Sequence, residues 1–303
     1  MSPKSEIGNV GNVVSGVTQQ FLKNAENHHN NYYNIKFTET LINGALSKLD
    51  LKEKELVILD IGSGSGPTVL TLRNLLGSSK IIATDISPGL LAILRKALIN
   101  ANVIDNVYLA VLDLNKPWFK RNSLDLVVGK AILHHLFDPA RLIEEVFSAL
   151  KENGAMVFFE PFEIGRVYTS IVLRLILSED ERRGSLDDRT KIFLRQYIKK
   201  SELLGCFPKD TETYKNHDDK WTFTFDYFHN IAAKLGAKLE IYNIANPSLQ
   251  LTNQIKTLFK LGVGKEYGDA PKWIRDLVSD LENSMSEMCK KQIISSAGII
   301  IRK

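Results

Sequence analysis

The ten residues Val57 to Gly66, "VILDIGSGSG", set an apolar run against a turn with glycine at every second position, Gly62, Gly64 and Gly66. A short apolar run closed by glycine reads as a buried strand. Where such a strand enters a helix through glycines, main-chain N–H groups point outward at the helix N-terminus and a ligand can approach the backbone. On either side of this stretch the pattern repeats in outline. "LVILDI", "KIIATDI", "NVYLAVL", "LDLVVG" and "AMVFFE" alternate with helical segments as far as Pro161, and strand signals return at "KLEIYNI" and "AGIIIR". Strands separated by crossover helices predict an α/β fold: a doubly wound, mostly parallel seven-stranded sheet, with an N-terminal helical cap and helical lid insertions.

The composition shifts divide the chain into four segments. Residues 1–50 form the cap: "NAENHHNNYYN" reads as a solvated polar loop, and Phe37, Leu41, Ile42, Ala45 and Leu49 follow it at helical spacing, as a cap and not as core. Residues 51–161 are the sheet core. Residues 162–230 are an insertion that opens on "EIGRVYTSIVLRLIL", where Ile164, Val167, Tyr168, Ile171, Val172, Leu175 and Ile176 fall on one helical stripe. A stripe of this kind reads from its spacing as an ordinary packed helix, and dimerisation through the same face is a competing reading. Residues 231–303 complete the sheet, with a helical insertion at about 249–290.

The 303 residues are 44% hydrophobic and 24% charged, the composition of a globular protein. A net charge of +4 is too weak to mark a nucleic-acid surface, and no basic stripe interleaved with aromatics is present. Cys206 and Cys289 stand far apart, without partners at metal spacing, so neither a disulfide framework nor a zinc site is expected, and no metal is assigned. The first residues lack the basic segment and apolar core of a signal peptide, and no apolar window is long enough to span a membrane. A cytoplasmic protein is expected.

A dinucleotide fingerprint, G-x-G-x-x-G, fails because Pro67 stands at the third glycine position. The spacing present, Asp60 followed by G-x-G-x-G, resembles the first motif of the class I S-adenosylmethionine-dependent methyltransferases of small-molecule type. The segment "LDLVVGKAILHHLFDPARLIEEVFSALKENGAMVFFEP" also resembles that family, with Asp125 opening the strand, His134 and His135 following it, and Lys151 to Gly154 as the next turn, here without the family's proline and second glycine. The likeness covers about residues 50–160, and it implies that residues 162–230, with the apolar face of the Ile164–Ile176 stripe turned inward, build a lid over the acceptor together with the N-terminal cap, where His28, His29, Tyr32 and Tyr33 lie. It implies S-adenosyl-L-methionine as cofactor, held by Asp60, Gly62, Ser63, Gly64 and Gly66 in the turn. It further implies Asp85 on the ribose with Ile86 beside it, Asp113 on the adenine amino group, Leu114 framing the ring, and Lys130 at the end of the fourth strand. The interval from Gly66 to Asp85, 19 residues, also fits a ribose-binding acid on general grounds.

For the chemistry, a sulfonium methyl group is already activated, so the protein mainly positions it and supplies a base where the acceptor is weakly acidic. His134 and His135, at the carboxyl end of the fourth strand, are the catalytic candidates; packing, or closure over the cofactor, is the alternative for the pair. Glu160 at the end of the fifth strand reads equally as a base, a substrate ligand or a structural carboxylate. His217 and His229 read as surface residues. The expected function is methyl transfer to oxygen or carbon of a small-molecule acceptor, aromatic or lipid-like, with a homodimer as the competing use of the Ile164–Ile176 stripe. The alternatives are a methyltransferase-like binding subunit without catalysis, or a methyltransferase acting on RNA or protein. Against a nucleic-acid substrate, "GKAIL" stands where a base-amino methyltransferase has Asn/Asp-Pro-Pro-aromatic and a cytosine-C5 enzyme has Pro-Cys.

Overall fold

The computed structural model describes residues 22, 24–51, 55–116, 119–244 and 250–303. The expectations for residues 1–21 and for the start of the second insertion at 249 lie outside the described residues. The seven strands expected from the sequence are all present: β1 (Val57–Ile61), β2 (Lys80–Asp85), β3 (Val107–Val111), β4 (Leu124–Lys130), β5 (Leu150–Pro161), β6 (Lys238–Asn243) and β7 (Ser296–Arg302). They form one sheet in the order β3-β2-β1-β4-β5-β7-β6, parallel except where β7 runs antiparallel between β5 and β6. β1 is paired on both edges, Ile58 with Ile81 on one side and with Leu126 on the other. The chain winds away in opposite directions from β1 and β4, so their carboxyl ends flank the crevice where open α/β sheets bind ligands. The Lys151–Gly154 turn is absorbed into β5 as an irregularity, with Leu124 facing Leu150 and Leu126 facing Ala155.

Helices α1 (Ala25–Tyr32) and α2 (Ile35–Leu46) precede the sheet, and α3 (Pro67–Leu75), α4 (Pro88–Asn100) and α5 (Pro139–Ala149) connect its parallel strands. Their starts are written locally. Ser87 and Asp138 cap α4 and α5 by accepting from Leu90 N and Arg141 N, and each cap is followed by a proline, which has no N–H to leave unpaired. One apolar cluster fills the face of the sheet carrying α5. The other face is filled by α3 and α4 with Ile58, Ile81 and Val128. Complete burial of each such aliphatic side chain is worth about 1.5–3 kcal/mol.

Two expectations for the cap change. "NAENHHNNYYN" is not a solvated loop: Asn24 caps a helix through Asn27 N, and α1 packs on α4. Nor is α2 outside the core, since Leu41, Ile42 and Ala45 are buried in the same cluster as Ile58 and Val69, while Phe37 is 48% exposed on the opposite side.

The insertions are helical: α6 (Glu163–Arg183), α7 (Asp188–Leu203), α8 (Thr211–Tyr214), then α9 (Phe225–Leu235) leading into β6, and α10 (Gln250–Leu258), α11 (Lys272–Ser284) and α12 (Glu287–Gln292) between β6 and β7. The α6 stripe splits in two. Val172, Leu173 and Ile176 are buried against Leu194 and Ile198 of α7, Ile255 of α10 and Ile274 of α11, in a third apolar cluster. Ile164, Val167, Ile171 and Leu175 are exposed. The apolar face of α6 thus packs on the second insertion and does not close over the sheet crevice, because four helices that each carry an apolar stripe bury them against one another.

Gly165, in the first turn of α6, has no room for a side chain: an added Cβ would lie 2.5 Å from Ser295 Cα and 2.6 Å from the Ile294 carbonyl oxygen. Gly44 in α2 faces open space. Gly165→Ala is expected to cost about 1–3 kcal/mol, and Gly44→Ala to stabilise by about 0.5–1 kcal/mol. Urea midpoints of the two variants measure both, and a Gly165→Ala midpoint at or above that of the parent would contradict the packing of α6 on the 294–295 backbone.

Candidate active site

The glycine turn closes the end of β1 and is tied to the end of β2. Ser63 N donates to the Thr84 carbonyl at 2.8 Å, and Gly64 N donates to Asp85 Oδ2, also at 2.8 Å. Asp85 Oδ1 accepts from Ser87 N at 2.8 Å, so this carboxylate organises both the turn and the start of α4. Burial pushes the Asp85 pKa up, against the pull of the Ser87, Gly64 and Ile86 main-chain N–H groups. Gly64 has φ +55 and an added Cβ would meet nothing within 4 Å: it faces open space. Gly66 differs, with φ +96 and a Cβ position only 2.1 Å from Leu94 Cδ1.

A cavity of about 480 Å³ opens over the turn, within the size range of small-molecule sites. Gly62, Ser63 and Gly64 line its floor, with Asp85 and Ile86 from β2, Asp113 and Leu114 after β3, and Lys130 from β4. His134, His135 and Asp219 line one end, and His28, Tyr32 and Phe37 of the two N-terminal helices form the cover.

Two residues expected at the cofactor are not on the cavity wall. Asp60 is 1% exposed beneath the turn, and Gly66 serves the fit of the turn against Leu94. Asp113 Oδ1 is engaged by the main-chain and side-chain nitrogens of Asn115, at 2.9 and 3.0 Å. Lys130 Nζ donates to Thr38 Oγ1 at 3.0 Å, which joins β4 to α2. Of residues 162–230, the expected lid, only Asp219 lines this cavity among the described residues.

At the other end, Glu160 is 1% exposed. Its Oε1 accepts from Ile132 N and Leu133 N at 2.9 and 2.8 Å, and its Oε2 lies 2.6 Å from His134 Nδ1. Glu160 is therefore a positioning carboxylate for the loop after β4. Asp219, in "NHDDK", gave no sequence signal; its Oδ1 lies 3.6 Å from His134 Nε2 and 3.7 Å from His135 Nδ1. His135 Nδ1 is also 2.9 Å from the Asp218 carbonyl oxygen. Burial disfavours charge on His134, but the Glu160 carboxylate and Asp219 outweigh it and leave the pKa raised. Burial, with His134 beside it, pushes His135 down to about 3.

The segment carrying Asp219 is fastened to these histidines by Lys220, which is fully buried. Lys220 Nζ donates to the carbonyls of His135 and His217, each at 2.8 Å, and Lys220 N donates to the His134 carbonyl at 2.7 Å. Trp221 Nε1 adds a bond to the Leu136 carbonyl at 2.8 Å. His217 is half-buried here, and His229 is exposed.

A family model described as "Methyltransferase domain" matches residues 58–154, the segment that builds the floor of this cavity. Residues 58–154 thus carry a methyltransferase domain, similar to those of the class I S-adenosylmethionine-dependent methyltransferases. Among curated relatives, an uncharacterised protein of Synechococcus sp. is 29% identical over 54% of this chain and 38% of its own length. The malonyl-[acyl-carrier protein] O-methyltransferase of Acetivibrio thermocellus is 26% identical over 72% of this chain and 76% of its own length. The methyltransferase fold is also that of a putative sarcosine dimethylglycine methyltransferase from Galdieria sulphuraria, whose structure overlaps 88% of this chain and 85% of its own, with a TM-score of 0.52 at 14% identity. This chain therefore spans little more than a third of the Synechococcus protein and about three quarters of the Acetivibrio one.

Beneath the methyltransferase turn, Asp60 Oδ2 has no hydrogen-bond partner among the described residues. Burial raises the Asp60 pKa to about 7, with the Ser63 hydroxyl and Lys130 opposing and Asp85 adding to the rise. Between the ordinary carboxylate range and pH 7 the folded chain then binds a proton that the unfolded chain has lost, so stability falls as pH rises through this window. Asp60→Asn is expected to flatten that part of the profile and to raise the thermal midpoint at pH 8 relative to the parent, with the difference shrinking toward pH 4. Thermal melts without donor across pH 4–8 test this; parallel profiles for the two proteins would refute it.

Proposed function

We propose that this chain transfers the methyl group of S-adenosylmethionine to an oxygen or carbon atom of a small-molecule acceptor. One observation carries the reading: a single cavity joins a glycine turn and strand-end acids to a polar edge formed by His134, His135 and Asp219. The donor end fits an adenosine with a short charged tail. Gly64 leaves the main chain open to contact, and the buried acid Asp85 lines the same end of the cavity. The Asp85 oxygens already accept main-chain bonds, but a carboxylate has about four lone-pair sites, enough for two ribose hydroxyls as well. Asp113 and Leu114 fit the adenine edge and face, and Lys130 with Ser63 borders the tail.

S-adenosylmethionine, when bound, supplies a methyl group that needs only in-line approach by the acceptor. The residues of the chain set that approach. Glu160 holds His134 Nδ1, so Nε2 is the atom turned toward Asp219 and the cavity, where it meets the acceptor and can take its proton. Tyr32 and Phe37 place aromatic surface over the cavity, which suits a flat or acyl-type acceptor. In this reading the cover comes from α1 and α2, with the insertion contributing through Asp219. The relatives named as a malonyl-[acyl-carrier protein] O-methyltransferase and as a ubiquinone/menaquinone C-methyltransferase, from Wigglesworthia glossinidia brevipalpis, support oxygen or carbon as the atom methylated.

Calorimetry should detect S-adenosylhomocysteine binding and no response to NAD; the reverse pattern would end this reading. Asp85→Asn should weaken donor binding by roughly 10- to 150-fold, from about 1.5–3 kcal/mol lost with charge-assisted hydrogen bonds. His134→Ala should lower turnover by roughly 100-fold or more with S-adenosylhomocysteine affinity held within a few-fold. Equal loss of donor affinity in that variant would place His134 in the donor pocket instead. With labelled donor and a cell extract, label should appear in the low-molecular-weight fraction, whereas label in RNA or protein would refute a small acceptor.

A further inference from the structure

His134, His135 and Asp219 come from loops more than eighty residues apart, yet each offers a ligand atom within 4.8 Å of the other two. Asp219 Oδ1 and His134 Nε2 are 3.6 Å apart. In a tetrahedral centre with bonds of about 2.0–2.1 Å, neighbouring ligand atoms stand about 3.3–3.4 Å apart, so this pair needs only a small adjustment.

For His134 and Asp219, the atoms on the far side of the ligand atom are occupied in the way metal ligands require. Glu160 Oε2 holds His134 Nδ1 at 2.6 Å, which leaves Nε2 to face Asp219. Lys200 Nζ takes Asp219 Oδ2 at 2.7 Å, which leaves Oδ1. His135 Nδ1 lies 3.7 Å from Asp219 Oδ1 and 2.9 Å from the Asp218 carbonyl oxygen, so His135 ligates through Nε2 with Nδ1 kept on that carbonyl, or through Nδ1 once that bond is released. A carboxylate behind an imidazole is an outer contact that orients a metal-bound histidine, and Glu160 supplies it for His134. Glu160 is itself anchored by two main-chain N–H groups, so the orientation of His134 is built into β5. Lys200 and the buried Lys220 bring positive charge close, which places the site among exchangeable centres and not among closed structural ones.

We propose that His134, His135 and Asp219 bind a divalent transition cation of the zinc, cobalt or ferrous class, with its cavity-facing positions left for an oxygen atom of the acceptor. Two imidazoles and one carboxylate suit such ions better than magnesium or calcium, which prefer all-oxygen sites. A cation there excludes a proton from His134 Nε2, so the residue serves as ligand in the loaded protein and as base in the free one. The site does not depend on the donor: it stands on the three ligand groups and their outer contacts.

The test uses the full chain, stripped with chelator and titrated with cobaltous ion under anaerobic conditions. Visible ligand-field bands saturating at one ion per chain are expected, with the bands lost on addition of zinc. Asp219→Asn, at a partly exposed position, should abolish the bands while its far-UV circular dichroism and melting remain those of the parent. Glu160→Gln, where folded, should weaken cobalt affinity by roughly 10- to 100-fold, as loss of an outer carboxylate does. Absence of bands in the parent at millimolar cobalt, or unchanged binding by folded Asp219→Asn, would overturn the proposal.

Discussion

The Glu160 carboxylate holds together the half of the cavity that carries the chemistry. It sits at the end of β5 with no access to solvent, and its two oxygens take Ile132 N, Leu133 N and His134 Nδ1. A buried carboxylate is costly unless its lone pairs are filled, and here the loop after β4 fills them. That loop begins with Ala131 at φ +55, a left-handed conformation that costs a non-glycine residue about 1–2 kcal/mol. The bonds to Glu160 offset the strain, and the chain turns sharply enough to set both histidines over the end of the sheet.

The first insertion is joined to the same loop by a second buried charge. The Lys220 ammonium lies among main-chain carbonyls of residues 135 and 217, and its N–H reaches residue 134. Burial pulls its pKa down to about 8, with Asp218 and Asp219 opposing. A lysine held in this way fixes the path of the backbone on either side of it, and so delivers Asp219 to the histidines. The apolar surface of the insertion is used elsewhere, since Val172, Leu173 and Ile176 join α7, α10 and α11 in a helical layer of their own. One segment therefore stabilises through its helices and contributes to the site through a polar loop.

The donor side is likewise organised by a buried carboxylate. Asp85 bridges two elements before any ligand arrives, taking Gly64 N from the turn and Ser87 N from the start of α4. The turn is consequently preorganised, with Gly64 open to the cavity and Gly66 pressed against Leu94. Asp60 stays below it, buried and partly unsatisfied. The helices α1 and α2 reach over this floor because Leu41 and Ile42 are anchored in the sheet core, which leaves Phe37 on the cavity side.

Read alone, the sequence determined the α/β class, all seven strands and the methyltransferase turn, because these rest on local periodicity and on glycine and acid spacing within a few residues. It also brought His134 and His135 to the correct end of β4. Tertiary structure alone decided what those residues meet. Asp219 lies 85 residues from His134, and no pattern in "NHDDK" separates it from a solvated loop. Glu160 was legible as a carboxylate at the right edge, but its role as the anchor of the loop depends on main-chain N–H groups that sequence does not reveal. The stripe of α6 was legible as helical and apolar, but whether it packs on other helices or covers an acceptor was not, since periodicity gives the apolar face of a helix but not the surface that covers it. Three-dimensional packing supplied that partner, and with it the meeting of the distant Asp219 with His134 and His135 at the end of the cavity.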